Sequence, residues 1–357
     1  MGADKADDAL AVGRPFDGSD TAALGEWLRQ RIDGMRAPVQ VRRFSGGQSN
    51  PTFLLTDAAG KRYVLRKKPA GELLPSAHAV DREYRVMKAL EHSDVPVAKM
   101  LCYCDDAEVI GTPFYVMEFV DGRIFWDPAL PELDAAQRVL VYGDMLRVVS
   151  ALHRIDPEAV GLADYGRQTG FFERQISRWT RQYRASETEK ILAMDQLIEW
   201  LPANMPAREE CRIFHGDLRL DNMIFHQTEP RILAVLDWEL STLGHPLADF
   251  AYHALPWRLT SEQFRGMAEK DIAALGIPSE REYLQSYCRA ASRELDLPEY
   301  KFCVAYSMFR LAAILQGILK RSLDGTAASA TAGETGRKAR GIAEAAWRQV
   351  TAGDALR

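Results

Sequence analysis

Two short stretches carry residues whose types and spacing can do chemistry. "FHGDLRLDNMIF" (Phe214 to Phe225) sets Asp217 five positions before Asn222, with an Arg between them and apolar residues at both ends. "RILAVLDWE" follows, an apolar run that ends on Asp237. If "MIF" and "ILAV" pair as a hairpin, Asn222 and Asp237 come to one end of it. An amide oxygen and a carboxylate are hard oxygen donors, the set that Mg²⁺ takes while it keeps waters and substrate phosphates as its other ligands. Asp217 is then left as a carboxylate able to accept the proton of a hydroxyl.

The elements that must position these groups follow from pattern. The chain has 357 residues, 47% of them apolar and 27% charged, enough for a large core and two lobes. Residues 1–35 form an N-terminal extension with one helix, "TAALGEWLRQRI", capped by Ser19 or Asp20. Residues 36–120 are β-rich. "VQVRRFSGGQSNPTFLLTDAAGKRYVLRKKP" gives strand, Gly-containing turn, strand, "DAAG" turn and strand; "VAKMLCYCDD" and "PFYVMEFV" give two more; "AVDREYRVMKALE" has helical spacing. Residues 121–357 form a mostly helical lobe. Within it "FFERQISRWTRQYR" puts Phe172, Ile176, Trp179 and Tyr183 on one face and Arg174, Arg178 and Arg181 on the other. Arg310 and Gln316 interrupt "FCVAYSMFRLAAILQGIL", which marks it as a buried core helix rather than a membrane span. "LDGTAASATAGETG" is low in complexity and expected to be a mobile loop.

The net charge is −5, which disfavours a nucleic-acid binder. The five cysteines lack metal-type spacing and suit a reduced compartment. "MGADKADDALAVG" has no basic start and no apolar run. The expectation is a cytoplasmic protein with no membrane and no nucleic-acid partner.

"HGDLRLDN" followed by "LDWE" resembles the aminoglycoside phosphotransferase family of the kinase-like fold over roughly residues 36 to 320. The fold class this implies is α+β, a protein-kinase-like bilobal fold with a small antiparallel β-lobe and a larger helical lobe. The activity it implies is transfer of the γ-phosphate of ATP, with Mg²⁺, to a small-molecule substrate with a hydroxyl acceptor. Residue by residue, Asp217 resembles the catalytic base and Arg219 a neutraliser of charge on the phosphoryl group. Asn222 and Asp237 resemble the Mg²⁺ ligands, and His215 orients the loop. Gly46 and Gly47 stand in the phosphate loop, where Ser49 and Asn50 add side-chain contacts. Arg66 or Lys68 is the cation for the α- and β-phosphates, with Glu83 as its helix partner. The backbone at Glu118, Phe119 and Val120 would meet adenine. Asp249 of "HPLADFAYHAL" resembles the Asp that ties down the catalytic loop. Only eleven residues separate Asp237 from Asp249, too few for a protein kinase's activation segment.

"YVLRKKPAGELLPSAHAVDREYRVM" and "LHRIDPEAVGLADYGRQTGFFERQISRW" are similar to the kinase-like domains fused to certain acyl-CoA dehydrogenases. That resemblance implies a hydroxyacyl-CoA or another anionic metabolite as acceptor. The helix from Arg167 to Arg184, with five arginines against one glutamate, suits an anion. Two alternatives stand beside it: an aminoglycoside-type antibiotic kinase, and a nucleotide-binding pseudokinase without turnover.

Overall fold

The computed structural model describes residues 10–11, 21–44, 50–69, 79–327, 329 and 331–352. Gly46, Gly47 and Ser49 of the expected phosphate loop lie outside the described residues, as do the expected caps Ser19 and Asp20. The chain divides into two compact units, Met1–Arg123 with Ile224–Glu239, and Ile124–Met223 with Leu240–Arg357. The first break falls three residues beyond the expected boundary at 120, and the hairpin after the catalytic loop groups with the first unit.

The first unit is an antiparallel sheet of order β1-β2-β3-β4-β6-β5. Its strands are β1 (Leu10–Ala11), β2 (Gln40–Phe44), β3 (Thr52–Thr56), β4 (Arg62–Lys67), β5 (Met100–Cys104) and β6 (Phe114–Glu118). The "DAAG" turn between β3 and β4 forms as expected. Asp57 Oδ1 accepts the N–H groups of Ala59 and Lys61 at 2.8 and 2.9 Å, and Gly60 takes φ +81°. The period of two sorts the sheet into faces. Phe53, Leu55, Tyr63, Leu65, Phe114 and Val116 share a core with Leu24 and Leu28 of α1 (Thr21–Arg29). Val64, Arg66, Tyr115 and Met117 alternate with them, so they belong to the opposite face. Helix α2 (Val80–Leu90) buries Val80, Glu83, Val86, Met87 and Leu90, a helical stripe with one carboxylate in it. A one-turn helix, α3 (Ala107–Ile110), joins β5 to β6. Strands β8 (Met223–Phe225) and β9 (Ile232–Val235) form a two-stranded hairpin.

The second unit is helical. Its elements are α4 (Ala135–Arg154), α5 (Phe171–Ala185), α6 (Leu192–Ala203), α7 (Pro246–His253), α8 (Ser261–Phe264), α9 (Glu280–Ala290), α10 (Leu297–Leu323), α11 (Ala332–Arg337) and α12 (Ala339–Thr351). A short pair, β7 (Arg212–Phe214) with β10 (Thr242–Gly244), flanks the loop that holds Asp217. Asp134 caps α4 through a capping box with Gln137. Helix α10 is long and apolar enough to cross a membrane by composition, yet its most apolar window is 83% buried inside the protein. The two polar residues that interrupt it are buried and spend their donors inside the protein. Arg310 donates to the Gly216 carbonyl, and Gln316 donates to Ser186 O and Thr188 Oγ1 at 2.9 and 2.8 Å.

The expected loop at Leu323–Gly336 is only partly a loop, because its last residues form α11. Small side chains let this turn of helix lie directly on α10: a Cβ on Gly336 would sit 2.6 Å from the Leu319 Cα. Low complexity here reflects close packing of backbone on backbone. Gly336→Val forces α11 off α10 and is expected to cost about 1–3 kcal/mol, read as a melting temperature several degrees below wild type.

Candidate functional site

In the first unit the site is built around Arg66. Strand alternation points it to the α2 side of the sheet, where its Nε lies 2.9 Å from Glu83 Oε2. Its Nη2 donates to Asp237 Oδ1 at 3.0 Å and to Glu239 Oε2 at 3.3 Å. Three carboxylates therefore converge on one guanidinium. Burial disfavours its charge, but Glu83, Tyr115, Asp237 and Glu239 outweigh that and raise its pKa. Glu83 is 2% exposed and also accepts Asn50 Nδ2 at 2.5 Å and the Tyr115 hydroxyl at 2.9 Å. Its burial raises its pKa against the opposing pull of Arg66 and Tyr115. Of the two cations considered, Arg66 is the one brought to Glu83. Lys68 lies one residue beyond the end of β4, its N–H bonded to the Pro113 carbonyl at 2.9 Å.

Asp237 sits in the left-handed region at φ 65°, a conformation that Asp tolerates better than most residues. Sequence reasoning missed Glu239 as a member of this cluster. The signal was the second acidic residue of "LDWE", and what hid it is the short helical turn over Trp238–Leu240 that carries its side chain to Arg66. At the end of β6, the Glu118 N–H is spent on the Lys99 carbonyl at 2.9 Å. Of the three residues expected to meet adenine, Glu118 has thus lost its donor. Phe119 is covered by the Arg62 guanidinium, 4.1 Å from the ring centroid.

In the second unit the loop between β7 and β8 holds Asp217, and a buried carboxylate fixes the loop's shape. Asp249 of α7 is fully buried. It accepts the His215 N–H at 2.7 Å and the Gly216 N–H at 2.9 Å, and faces His153 Nε2 at 3.3 Å. Burial would raise its pKa; His153 and His215 outweigh that and lower it. These bonds are those of the loop tether expected of Asp249. Gly216 takes φ +87°, and a Cβ there would lie 2.9 Å from the Leu240 carbonyl oxygen, so this position admits only glycine without strain. His215, also buried, accepts the Asp217 N–H on Nδ1 at 3.1 Å.

The Asp217 carboxylate is met by three side chains. Tyr252 Oη donates to Oδ1 at 2.9 Å, and Asn222 Nδ2 and Arg219 Nη2 donate to Oδ2 at 2.9 and 3.0 Å. Arg219 Nε stands 3.0 Å from Oδ1. Burial would push Asp217 up, but Arg219, Arg310 and Tyr252 hold it below the ordinary carboxylate range. It is therefore ionised at neutral pH. Asn222 spends its amide nitrogen on the Asp217 side chain and on its carbonyl at 2.8 Å, so the amide oxygen is the atom left to face an ion. Tyr252 and Arg310 were not anticipated. Arg310 lies 4.9 Å over the Tyr252 ring and donates to the Gly216 carbonyl, and nothing local in an apolar helix signals that contact.

A cavity of about 50 Å³ adjoins this loop, and its walls include Arg219 and Tyr252, both bonded to Asp217. The rest is largely aromatic and aliphatic: Tyr142, Met145, Trp257, Phe264 and Leu311. The arginine stripe of α5, expected to meet an anion, does not line it. Arg174 donates to the Thr169 and Arg167 carbonyls, Arg181 to Ser177, and Arg184 pairs with Asp195 at 2.7 Å. Arg174 thus ties down the turn before the helix, Arg181 bonds within it, and Arg184 reaches the next helix.

Among the described residues no group of three His, Cys, Asp or Glu side chains assembles as a metal site. The Asp237 carboxylate in the first unit and the Asn222 amide oxygen in the second are each hard oxygen donors of the kind Mg²⁺ takes.

His253, one residue from Tyr252, holds the loop from the other side. Its ring bridges the Leu218 carbonyl at 3.1 Å and the Tyr283 hydroxyl at 2.9 Å. Burial lowers its pKa from the ordinary 6.5 to about 4, so the folded protein carries it neutral. The unfolded chain takes up that proton first as pH falls. The stability His253 contributes is full above its unfolded value of 6.5 and is lost as pH drops toward 4. The loss amounts to about 3 kcal/mol. Urea unfolding followed between neutral pH and pH 4 is expected to show that loss in wild type and a flatter profile in His253→Gln.

The sequence model of the Phosphotransferase enzyme family (APH) matches residues 40–288. Mouse acyl-CoA dehydrogenase family member 10 is 47% identical over 315 residues, which cover 87% of this chain but only 29% of that protein's length. A solved structure from Ralstonia eutropha JMP134, whose assignment as an aminoglycoside phosphotransferase is itself provisional, is 51% identical with a TM-score of 0.86. That match covers 93% of this chain and 98% of the other. A thermostable variant of aminoglycoside phosphotransferase APH(4)-Ia, solved with ADP and hygromycin B, has a TM-score of 0.59 at 15% identity. It covers 92% of this chain and 99% of the other, and shows the shared kinase-like fold. With the Arg66 cluster and the Asp217 loop in place, and a family match over most of its length, the chain belongs to the phosphotransferase enzyme family of the kinase-like fold.

Proposed function

We propose that this protein is an ATP-dependent small-molecule kinase that phosphorylates a hydroxyl on an anionic, largely apolar metabolite, with a hydroxyacyl-CoA as the leading acceptor. The observation that carries the reaction class is Asp217, an ionised, partly buried carboxylate bonded to two wall residues of an aromatic cavity. A scaffold that only binds nucleotide has no use for such a base.

In this reading the acceptor hydroxyl approaches Asp217, which orients it and takes its proton as the new O–P bond forms. The bond between the γ-phosphorus and the β–γ bridging oxygen breaks, and ADP leaves. Asp237 and Asn222 would hold Mg²⁺, which supplies charge neutralisation on the phosphates. Arg66, kept charged by three carboxylates, meets the α- and β-phosphates. Arg219 shifts toward the transferring phosphoryl group and Asp221 as it releases Asp217; Asp221 Oδ2 already lies 3.5 Å from its Nη2. Phe119 and Val120 supply main-chain contacts for adenine, and Gly46, Gly47, Ser49 and Asn50 belong to the loop over the phosphates.

The acceptor class is argued from the cavity. A polycationic aminoglycoside needs an acidic lining, whereas this wall is aromatic and carries Arg219 and Arg265 against the single carboxylate of Asp221. The relatives named as acyl-CoA dehydrogenases support an acyl-CoA acceptor, in that a kinase-like segment is joined to an enzyme named for acyl-CoA chemistry.

Asp217→Asn is expected to cut ADP release in the presence of acceptor by about 10²- to 10⁴-fold while leaving MgATP affinity within a few-fold of wild type. Asp237→Ala is expected to abolish the metal dependence of nucleotide binding. Unchanged turnover in Asp217→Asn, or unchanged metal-dependent binding in Asp237→Ala, contradicts the assignment.

A further inference from the structure

The cavity beside Asp217 has a mouth that the reaction itself does not use. Asp217, Arg219, Asp221 and Arg265 form a chain of alternating charge. Arg219 pairs with Asp217, its Nη2 reaches Asp221 at 3.5 Å, and Arg265 Nη1 is joined to the same Asp221 oxygen. The chain begins at the base and ends on a guanidinium whose side chain is 41% exposed, while Asp221 is 8% exposed. Arg265 also stands 5.3 Å from the Trp126 ring centroid and 5.8 Å from that of Phe264. Trp126 is 62% exposed, an unusual position for an indole, and it lines the same cavity.

The backbone adds an independent observation. Arg265 ends helix α8 in the left-handed conformation at φ 44°, the place where glycine or asparagine ends a helix without steric cost. The following residue is a glycine packed so tightly that a Cβ on it would lie 1.8 Å from the Leu259 carbonyl oxygen, so the turn cannot slide. A long cationic side chain is thus kept at a position that disfavours it, tethered through one nitrogen, with the rest of its fork open at the cavity rim. Strained residues persist where the side chain does a job the fold does not require.

We propose that Arg265 is the specificity-determining residue of the acceptor site, pairing with an oxyanion, carboxylate or phosphate, carried by the acceptor some bonds away from its reacting hydroxyl. Trp126 covers the apolar stem between the two, and Asp221 sets the fork's orientation. The inference rests on the kinase reading above and deepens it: Asp217 selects the hydroxyl, and Arg265 selects the charge.

The test uses 6-hydroxyhexanoate and 8-hydroxyoctanoate, their methyl esters, and 6-hydroxyhexyl phosphate. Binding is followed by isothermal titration and transfer by ADP release, on the full chain and on Arg265→Gln, Arg265→Lys and Arg265→Gly. Wild type is expected to bind the anions about tenfold or more tightly than the esters, with the difference in KM and not in kcat. Arg265→Gln brings the anions to the ester's KM and leaves the ester unchanged, and Arg265→Lys keeps part of the preference. Arg265→Gly, freed of the left-handed strain, folds and loses the preference, which separates recognition from structure. The tighter of carboxylate and phosphate names the oxyanion.

Equal binding of acid and ester by wild type, a preference that survives in Arg265→Gln, or no binding of any probe overturns the inference. Anion-selective binding that depends on Arg265 without transfer to any probe leaves the inference standing and counts against the kinase reading instead.

Discussion

The loop that carries Asp217 depends on one buried carboxylate. Asp249 accepts two successive backbone N–H groups, those of His215 and Gly216, from a fully buried position. Hydrogen bonds to a charged group contribute about 1.5–3 kcal/mol each, and an unpaired buried carboxylate would cost more than either. The chain therefore has one low-energy path past this point, and that path presents Asp217. Gly216 follows from the same constraint, since its positive φ turns both N–H groups toward Asp249 and leaves no room for a side chain. Arg310 closes the arrangement by taking the Gly216 carbonyl from helix α10. A long helix with a largely apolar middle carries a buried arginine because the loop supplies the partner that makes its burial tolerable.

Arg66 plays a comparable part in the first unit. A buried guanidinium is costly alone, and so are Glu83, Asp237 and Glu239. Together they leave an excess of negative charge around one cation, the balance that the proposed metal and nucleotide would neutralise. Glu239 widens the acidic set beyond Asp237, and the left-handed turn at Asp237 is what sets both side chains toward Arg66.

Much of this was legible in the sequence, for identifiable reasons. The strands announce themselves by alternation, and β4 places Arg66 on the face opposite Tyr63 and Leu65 by period alone. The pattern "HGDLRLDN" fixes Asp217 and Asn222 on one loop because five residues cannot separate them far. Tyr252, Arg310 and Arg265 were not legible, since each reaches the loop or the cavity from a remote element. The stripe of arginines on α5 is ambiguous for a physical reason: a solvated helix face and a ligand-facing one have the same composition, and Arg174, Arg181 and Arg184 spend donors on the protein itself. The last residues of the low-complexity segment Leu323–Gly336 were misread as loop, because small residues permit tight helix contact as readily as they permit a loop.

The central claim is that Asp217 serves phosphoryl transfer to an alcohol on an anionic acceptor. The most direct measurement is mass spectrometry of products after incubation with MgATP and a mixture of hydroxyacyl-CoAs, aminoglycosides, choline-like alcohols and sugars. The account predicts an ATP-dependent gain of one phosphoryl group on a hydroxyacyl-CoA and none on the aminoglycosides. Phosphorylation confined to aminoglycosides, or MgATP binding with no phosphorylated alcohol of any class, would contradict it.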